Sequence, residues 1–167
     1  MRIRNTIALL AVFTGAISAV NAQWQSTASV VNLSEDIDGT SVDLSGVVAS
    51  LGYQFEVQDK FKLIPNVRVG GGSDGDWIFD FDDIELDHLY GAGIKAQWES
   101  DKNGWYAFGH LSYAELKISI GQISDSSSEL GIGAGVGYDF SEAVGFEVSF
   151  EDFDGTEALG FGLKFMF

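Results

Sequence analysis

One short stretch, Gly109-His110-Leu111-Ser112, sets a base two residues from a hydroxyl. Alternate side chains of an extended strand leave the same face, so His110 and Ser112 project together. An imidazole beside a hydroxyl is the starting material for a serine nucleophile. Such a pair needs an acid to orient the histidine, and the sequence offers none at a convincing position. A hydrogen-bonded His110–Ser112 pair without catalysis is the expectation. His88 has no evident partner. A second candidate is the acidic run over residues 73–85, which contains Asp74, Asp76, Asp80, Asp82, Asp83 and Glu85. Hard carboxylate oxygens suit Ca²⁺ or Mg²⁺. The acid spacing and glycine of a calcium loop are not reproduced, so the run reads as a solvated rim. Gly131, Gly133, Gly135 and Gly137 recur with period two and no helix follows, which excludes a phosphate cradle. The chain has no cysteine, which excludes disulfides, thiolate catalysis and cysteine metal sites. No catalytic residue, cofactor or metal is expected.

The elements that carry these residues are strands. At the C-terminus Leu159, Phe161, Leu163, Phe165 and Phe167 alternate with Gly160, Gly162, Lys164 and Met166. Period two is the mark of a pleated strand. The same pattern recurs upstream. Leu130, Ile132, Ala134, Val136, Tyr138 and Phe140 oppose Gly131, Gly133, Gly135, Gly137 and Asp139. Val144, Phe146, Val148 and Phe150 oppose Gly145, Glu147, Ser149 and Glu151. Tyr90, Ala92, Ile94, Ala96 and Trp98 oppose Gly91, Gly93, Lys95 and Gln97. Eight strands are predicted, over residues 24–33, 41–55, 61–70, 84–99, 105–120, 128–140, 144–152 and 157–167.

Residues 1–22 read as a secretory leader. Arg2 and Arg4 precede an apolar run, and Val20-Asn21-Ala22 supplies small residues for cleavage. That run is too short for a spanning helix, which needs about 20 residues. The mature chain, residues 23–167, is then one domain. Removing the leader's two arginines from the net charge of −16 leaves −18. A polyanion of this kind repels nucleic acid, so no nucleic-acid partner is expected. Glycine is abundant at 21, proline occurs once, and aromatics make up 13%, a composition of strands and turns.

The polar face decides which side of the strands meets solvent. Glycine weakens a strand and is avoided on a soluble sheet's wet face. A file of glycines suits the inside of a narrow barrel whose apolar side chains meet lipid. A membrane strand needs about 9–11 residues, so eight use roughly 80 and leave a plausible share for connections. The predicted fold is an all-β, eight-stranded, antiparallel up-and-down transmembrane barrel. An even strand number puts both termini at one end, with short turns over 56–60, 100–104 and 141–143. Trp24, Tyr53, Phe55, Trp98, Trp105, Tyr138, Phe140, Phe165 and Phe167 then gather at that end as an aromatic girdle, the preferred place for such rings at a membrane interface. Arg68, Lys95, Glu147, Glu151 and Lys164 point inward, with Lys62 near the entrance. Barrels of eight strands are just wide enough for side chains to fill, so these charges are expected to pair with one another. Pro65 cannot donate to a ladder and is expected near its strand's start, before regular pairing. Glu35, Asp36, Asp38, Asp125, Asp152 and Asp154 join the acidic run at the opposite end.

A leader, eight strands, a third strand carrying Pro65 and ending in Gly70, the alternating sixth strand and the Phe167 terminus together resemble the small outer-membrane β-barrel superfamily. Its members include the OmpA membrane domain, OmpX and the opacity-type proteins. The resemblance covers essentially the whole mature chain and implies a Gram-negative outer-membrane location. It also implies lipid and lipopolysaccharide as surroundings, periplasmic chaperones during transit, and insertion by the barrel-assembly machinery. Phe161, Leu163, Phe165 and Phe167 match the terminal strand that this machinery reads. No peptidoglycan-binding domain is expected after Phe167, and the barrel is expected to be a monomer. The motifs specify fold more than activity. A structural or surface-contact role is favoured over a narrow diffusion channel. The third reading is a lipid A-modifying hydrolase, since some outer-membrane deacylases are barrels with a His-x-Ser strand. Tyr113 stands where their serine is commonly followed by asparagine, which weakens that reading.

Overall fold

A computed structural model describes residues 24–37, 40–72, 84–101, 104–120 and 123–167. Nine strands carry them: β1 (Trp24–Ile37), β2 (Thr40–Tyr53), β3 (Phe55–Gln58), β4 (Phe61–Gly72), β5 (Ile84–Glu99), β6 (Trp105–Ile120), β7 (Ile123–Asp139), β8 (Val144–Phe153) and β9 (Thr156–Met166). Consecutive strands pair antiparallel except β2 and β3, which both pair with β4, and β1 also pairs with β9, which closes the sheet into a barrel of eight staves. Closure removes the unpaired edges that an open sheet would present. The acidic run over 73–83 lies outside the described residues.

The second stave is two strands, β2 and β3, where one continuous strand was expected. Pro65 is the cause. Gly52 pairs with Asn66 and Phe55 with Leu63, so the register is unbroken while the ladder lapses opposite Pro65. A Cβ placed on Gly52 would lie 3.0 Å from the Pro65 carbonyl oxygen, so the Pro65 backbone faces β2. Its missing N–H is therefore missing on the β2 side. The expectation that Pro65 precedes regular pairing is corrected. Phe61 through Ile64 already pair with β5, and Pro65 itself stands opposite Ile94.

The pairings also fix the tilt. From Val42, successive partners around the barrel are Glu35, Thr156, Phe153, Gly131, Ser112, Gly93, Asn66 and finally Gly52, ten residues further along β2. A stagger of that size inclines the strands by about 40° and leaves an interior wide enough only for side chains. The outward face is apolar, with Val30, Val67, Ile132 and Phe161 exposed. The inward glycines are seats for larger groups. A Cβ on Gly131 would meet Phe153, Ser112 and Glu151, one on Gly137 the Tyr106 ring, and one on Gly91 the Arg68 side chain.

Both termini and three connections share one end, here termed the terminus end. Trp24 and Phe167 exchange backbone hydrogen bonds of 3.2 and 3.0 Å there. Lys60 and Gly104 take the left-handed backbone, with φ of 66° and 80°, in two of the turns. In the third, Ser141 Oγ accepts from the Ala143 and Val144 amides. At the opposite, loop end the wall is uneven. The β7–β8 ladder stops at Gly131 and Phe153, whereas the β6–β7 ladder continues to Ile120 and Ile123. β5 follows it as far as Ile84. The strand predicted to begin at residue 128 thus begins at Ile123, inside a projecting three-stranded wall. No helix is present among the described residues.

Candidate functional site

The barrel interior is built in three layers, each from alternate positions of several strands. Nearest the loop end, Leu33, Val48, Leu89, Ala114, Phe153 and Ala158 form a buried apolar layer. Six different strands contribute to it, each with one apolar residue.

The middle layer centres on Glu151 of β8. Arg68 of β4 donates from Nη1 to Oε2 at 2.6 Å and from Nη2 to Oε1 at 2.9 Å. Such a bidentate geometry matches the planar fork of guanidinium to a carboxylate. Arg68 Nη2 also donates to Ser112 Oγ at 2.6 Å, and Ser112 Oγ donates to Glu151 Oε1. His110 Nδ1 lies 3.4 Å from the same Oε1, and its Nε2 is 3.5 Å from Asn66 Nδ2. Asn66 Nδ2 also donates to the Ile64 carbonyl at 3.2 Å. The Arg68 guanidinium lies over the Phe153 ring at 5.2 Å, which joins this layer to the apolar one.

Two sequence expectations change here. The acid judged absent beside His110 is Glu151, brought across the barrel from β8. The expected direct His110–Ser112 bond is replaced by a shared carboxylate, since both residues turn to Glu151. The hydroxyl is thus held by an anion and a guanidinium.

The third layer lies toward the terminus end. Lys95 Nζ donates to Glu147 Oε1 at 2.6 Å, and Tyr106 OH donates to the same oxygen at 2.9 Å. Lys164 pairs with Asp139 and sits 4.0 Å from the centre of the Tyr106 ring. Lys95 lies 4.9 Å from the Phe108 ring. At the entrance Lys62 pairs with Glu99, and further out Lys60 pairs with Asp101. Beside these layers runs a cavity of about 110 Å³. Thr27, Ser29, Ser50 and Ser149 line it together with Arg68, Lys95, Glu147 and Glu151.

Outside, the terminus end carries a chain of ring contacts. Trp24 meets Tyr53 at 5.1 Å and Tyr53 meets Phe55 at 4.7 Å. Trp105 meets Tyr138 at 5.1 Å, and Tyr138 and Phe146 both flank Phe140. Trp98 is 69% exposed on the same band. On β9, Phe161 and Leu163 are exposed, while Phe165 and Phe167 are half-buried beside it.

A closed barrel with this apolar outer face and filled interior matches the outer membrane protein beta-barrel domain over residues 6–167. The chain belongs to that family. The fold is shared with neisserial surface protein A, at a TM-score of 0.58 and 14% identity over 87% of this chain and 98% of that one. It is shared with Ail, the attachment invasion locus protein of Yersinia pestis, at 0.57 and 15% over 88% and 98%. The N-terminal barrel domain of Pseudomonas aeruginosa OprF aligns at 0.53 and 16% over 88% and 100%. No curated protein matches the chain. At these identities the likeness is one of fold. Within this outer-membrane barrel, sequence reasoning missed Tyr106 and Asn66 as members of the polar interior, and set Asp139 on the glycine face without naming it in the charge network. A signal was present: Tyr106 shares the parity of His110 and Ser112, and Asp139 that of the β7 glycines.

Proposed function

We propose that this outer-membrane barrel is a sealed structural and surface-contact protein that acts through its loop end. The observation that carries the reading is the filled interior. Ion-paired side chains and an apolar layer occupy the bore, so a diffusion role has little to work with. The projecting β5–β6–β7 wall supports contact at the surface, because it lifts strand surface beyond the β8–β9 rim. In this reading the terminus end faces the periplasm and its aromatic band sits at the inner membrane interface, where amphipathic rings are favoured. Residues 1–22 direct export, chaperones escort the chain, and the assembly machinery reads Phe161, Leu163, Phe165 and Phe167. The folded barrel is a monomer surrounded by lipid and lipopolysaccharide.

Hydrolysis of lipid A finds no support, since Ser112 is held by Arg68 and Glu151 inside the barrel. The test removes the projecting wall while leaving the barrel intact. A variant lacking residues 117–126 joins the β6–β7 ladder at a lower, register-matched pair. Cells making wild-type protein are expected to aggregate or adhere to protein-coated surfaces more than cells making the trimmed form. Both proteins should migrate faster unboiled than boiled in a cold detergent gel, which establishes that both have folded. Equal adhesion with both folded would overturn the surface-contact reading.

A further inference from the structure

The bore holds two different obstacles to an ion, and they differ in chemistry. The ion-paired layers are polar and line a cavity of about 110 Å³. Its lining is mixed, and the stretch bordered by Gln25, Thr27, Ser29, Ser50, Asn66 and Arg68 offers polar partners to waters, each needing roughly 10–15 Å³. Gln25 Oε1 and Arg68 Nε are buried without a protein hydrogen bond, and both belong to residues lining the cavity. Water there would complete them. The layer above is of another kind. Leu33, Leu89 and Phe153 are each no more than 3% exposed, and Ala114 is fully buried. Val31, Leu33, Val48, Leu89 and Phe153 also line the cavity toward its loop end. An ion crossing this layer has to shed its water and gains no polar partner, the condition under which apolar constrictions block pores.

We propose that the permeability barrier of this barrel is the apolar layer of Leu33, Val48, Leu89, Ala114, Phe153 and Ala158, and that the ion pairs below it stand in a hydrated chamber. The charges hold the bore in shape; the apolar layer keeps it closed. The inference concerns where the bore is shut and does not depend on the surface-contact role.

Planar-bilayer recording on purified protein separates the two obstacles. Three proteins are compared, each admitted only if it shows the folded gel band: wild type, Leu33→Ser/Leu89→Ser, and Arg68→Met/Glu151→Met. Wild type and the methionine pair are expected to stay at the bare-membrane current. The serine pair is expected to raise it at least about tenfold in discrete steps, in keeping with a wetted constriction. If the serine pair does not fold, Leu33→Thr/Val48→Thr carries the same test with less lost volume. Conduction by the methionine pair or by wild type would overturn the proposal, and so would silence from a folded polar variant of the apolar layer.

Discussion

Replacing Glu151 by Gln tests the middle layer most directly. The substitution keeps the shape of the side chain and removes its charge. Arg68 then loses the anion for its 2.6 and 2.9 Å hydrogen bonds, and one end of the introduced carboxamide becomes a donor facing a donor. Ser112 and His110, which share Oε1, keep at most a neutral acceptor there. Both side chains of the Arg68–Glu151 pair are only 10% exposed, so bulk solvent hardly reaches them, and water in the chamber supplies no countercharge for the guanidinium. Removing one partner of a buried ion pair costs about 3–5 kcal/mol. Replacing both partners by apolar groups of similar volume is often neutral, because no buried charge is left behind. Glu151→Gln should therefore lose about 3–5 kcal/mol, while Arg68→Met/Glu151→Met stays within about 1 kcal/mol of wild type. Urea unfolding in lipid vesicles, followed by tryptophan emission and by the loss of the fast-migrating band, measures both. If Glu151→Gln stays within about 1 kcal/mol of wild type, or the double variant falls as far as the single, the pair is not the interior's organising contact.

Three further outcomes follow from the register. Gly137→Ala should cost about 1–3 kcal/mol by overpacking against Tyr106, and Tyr106→Leu in the same chain should recover part of it, both read by the same unfolding assay. Pro65→Thr supplies the missing donor toward β2 and should add about 0.5–1.5 kcal/mol. Its new amide should be protected in hydrogen exchange, and rapid exchange there would show that the break between β2 and β3 has another cause. In a Trp77→Phe background, emission from Trp24, Trp98 and Trp105 should be quenched more by lipids brominated near the headgroup than by lipids brominated near the chain ends. Stronger quenching by the deep label would remove the aromatic band from the membrane interface.

The strands were legible because their faces differ in kind at every second residue, from Leu130 to Asp139 on β7 and from Leu159 to Phe167 on β9. Alternation states which residues share a face, and so it placed Arg68, Lys95, Glu147, Glu151 and Lys164 on the inner side. It does not state height. Height in a closed barrel depends on the stagger, which is a property of all the ladders together. One residue of slip at a single ladder would carry a side chain to the other face, and two would move it past its partner. That is why Glu151 could not be set beside His110 from the sequence: forty-one positions and two intervening ladders separate them. Pro65 was misjudged for a related reason, since the cost of its missing N–H depends on which neighbour its backbone faces.

The glycines link what was legible to what was not. Gly131 pairs with Ser112 on one side and Phe153 on the other, and a Cβ there would strike both side chains as well as Glu151. Gly133 pairs with His110 and Glu151. The β7 glycine file is therefore the floor on which β6 and β8 side chains meet across an intervening strand. In a bore this narrow, an ion-paired network spanning three strands requires the middle strand to yield its side chains. The alternating glycines that first marked a barrel wall thus also mark where its polar interior is assembled. A stave whose inward file lacks glycine, such as β1 with Gln25, Thr27, Ser29, Val31 and Leu33, should instead border open space, and the cavity runs along that stave.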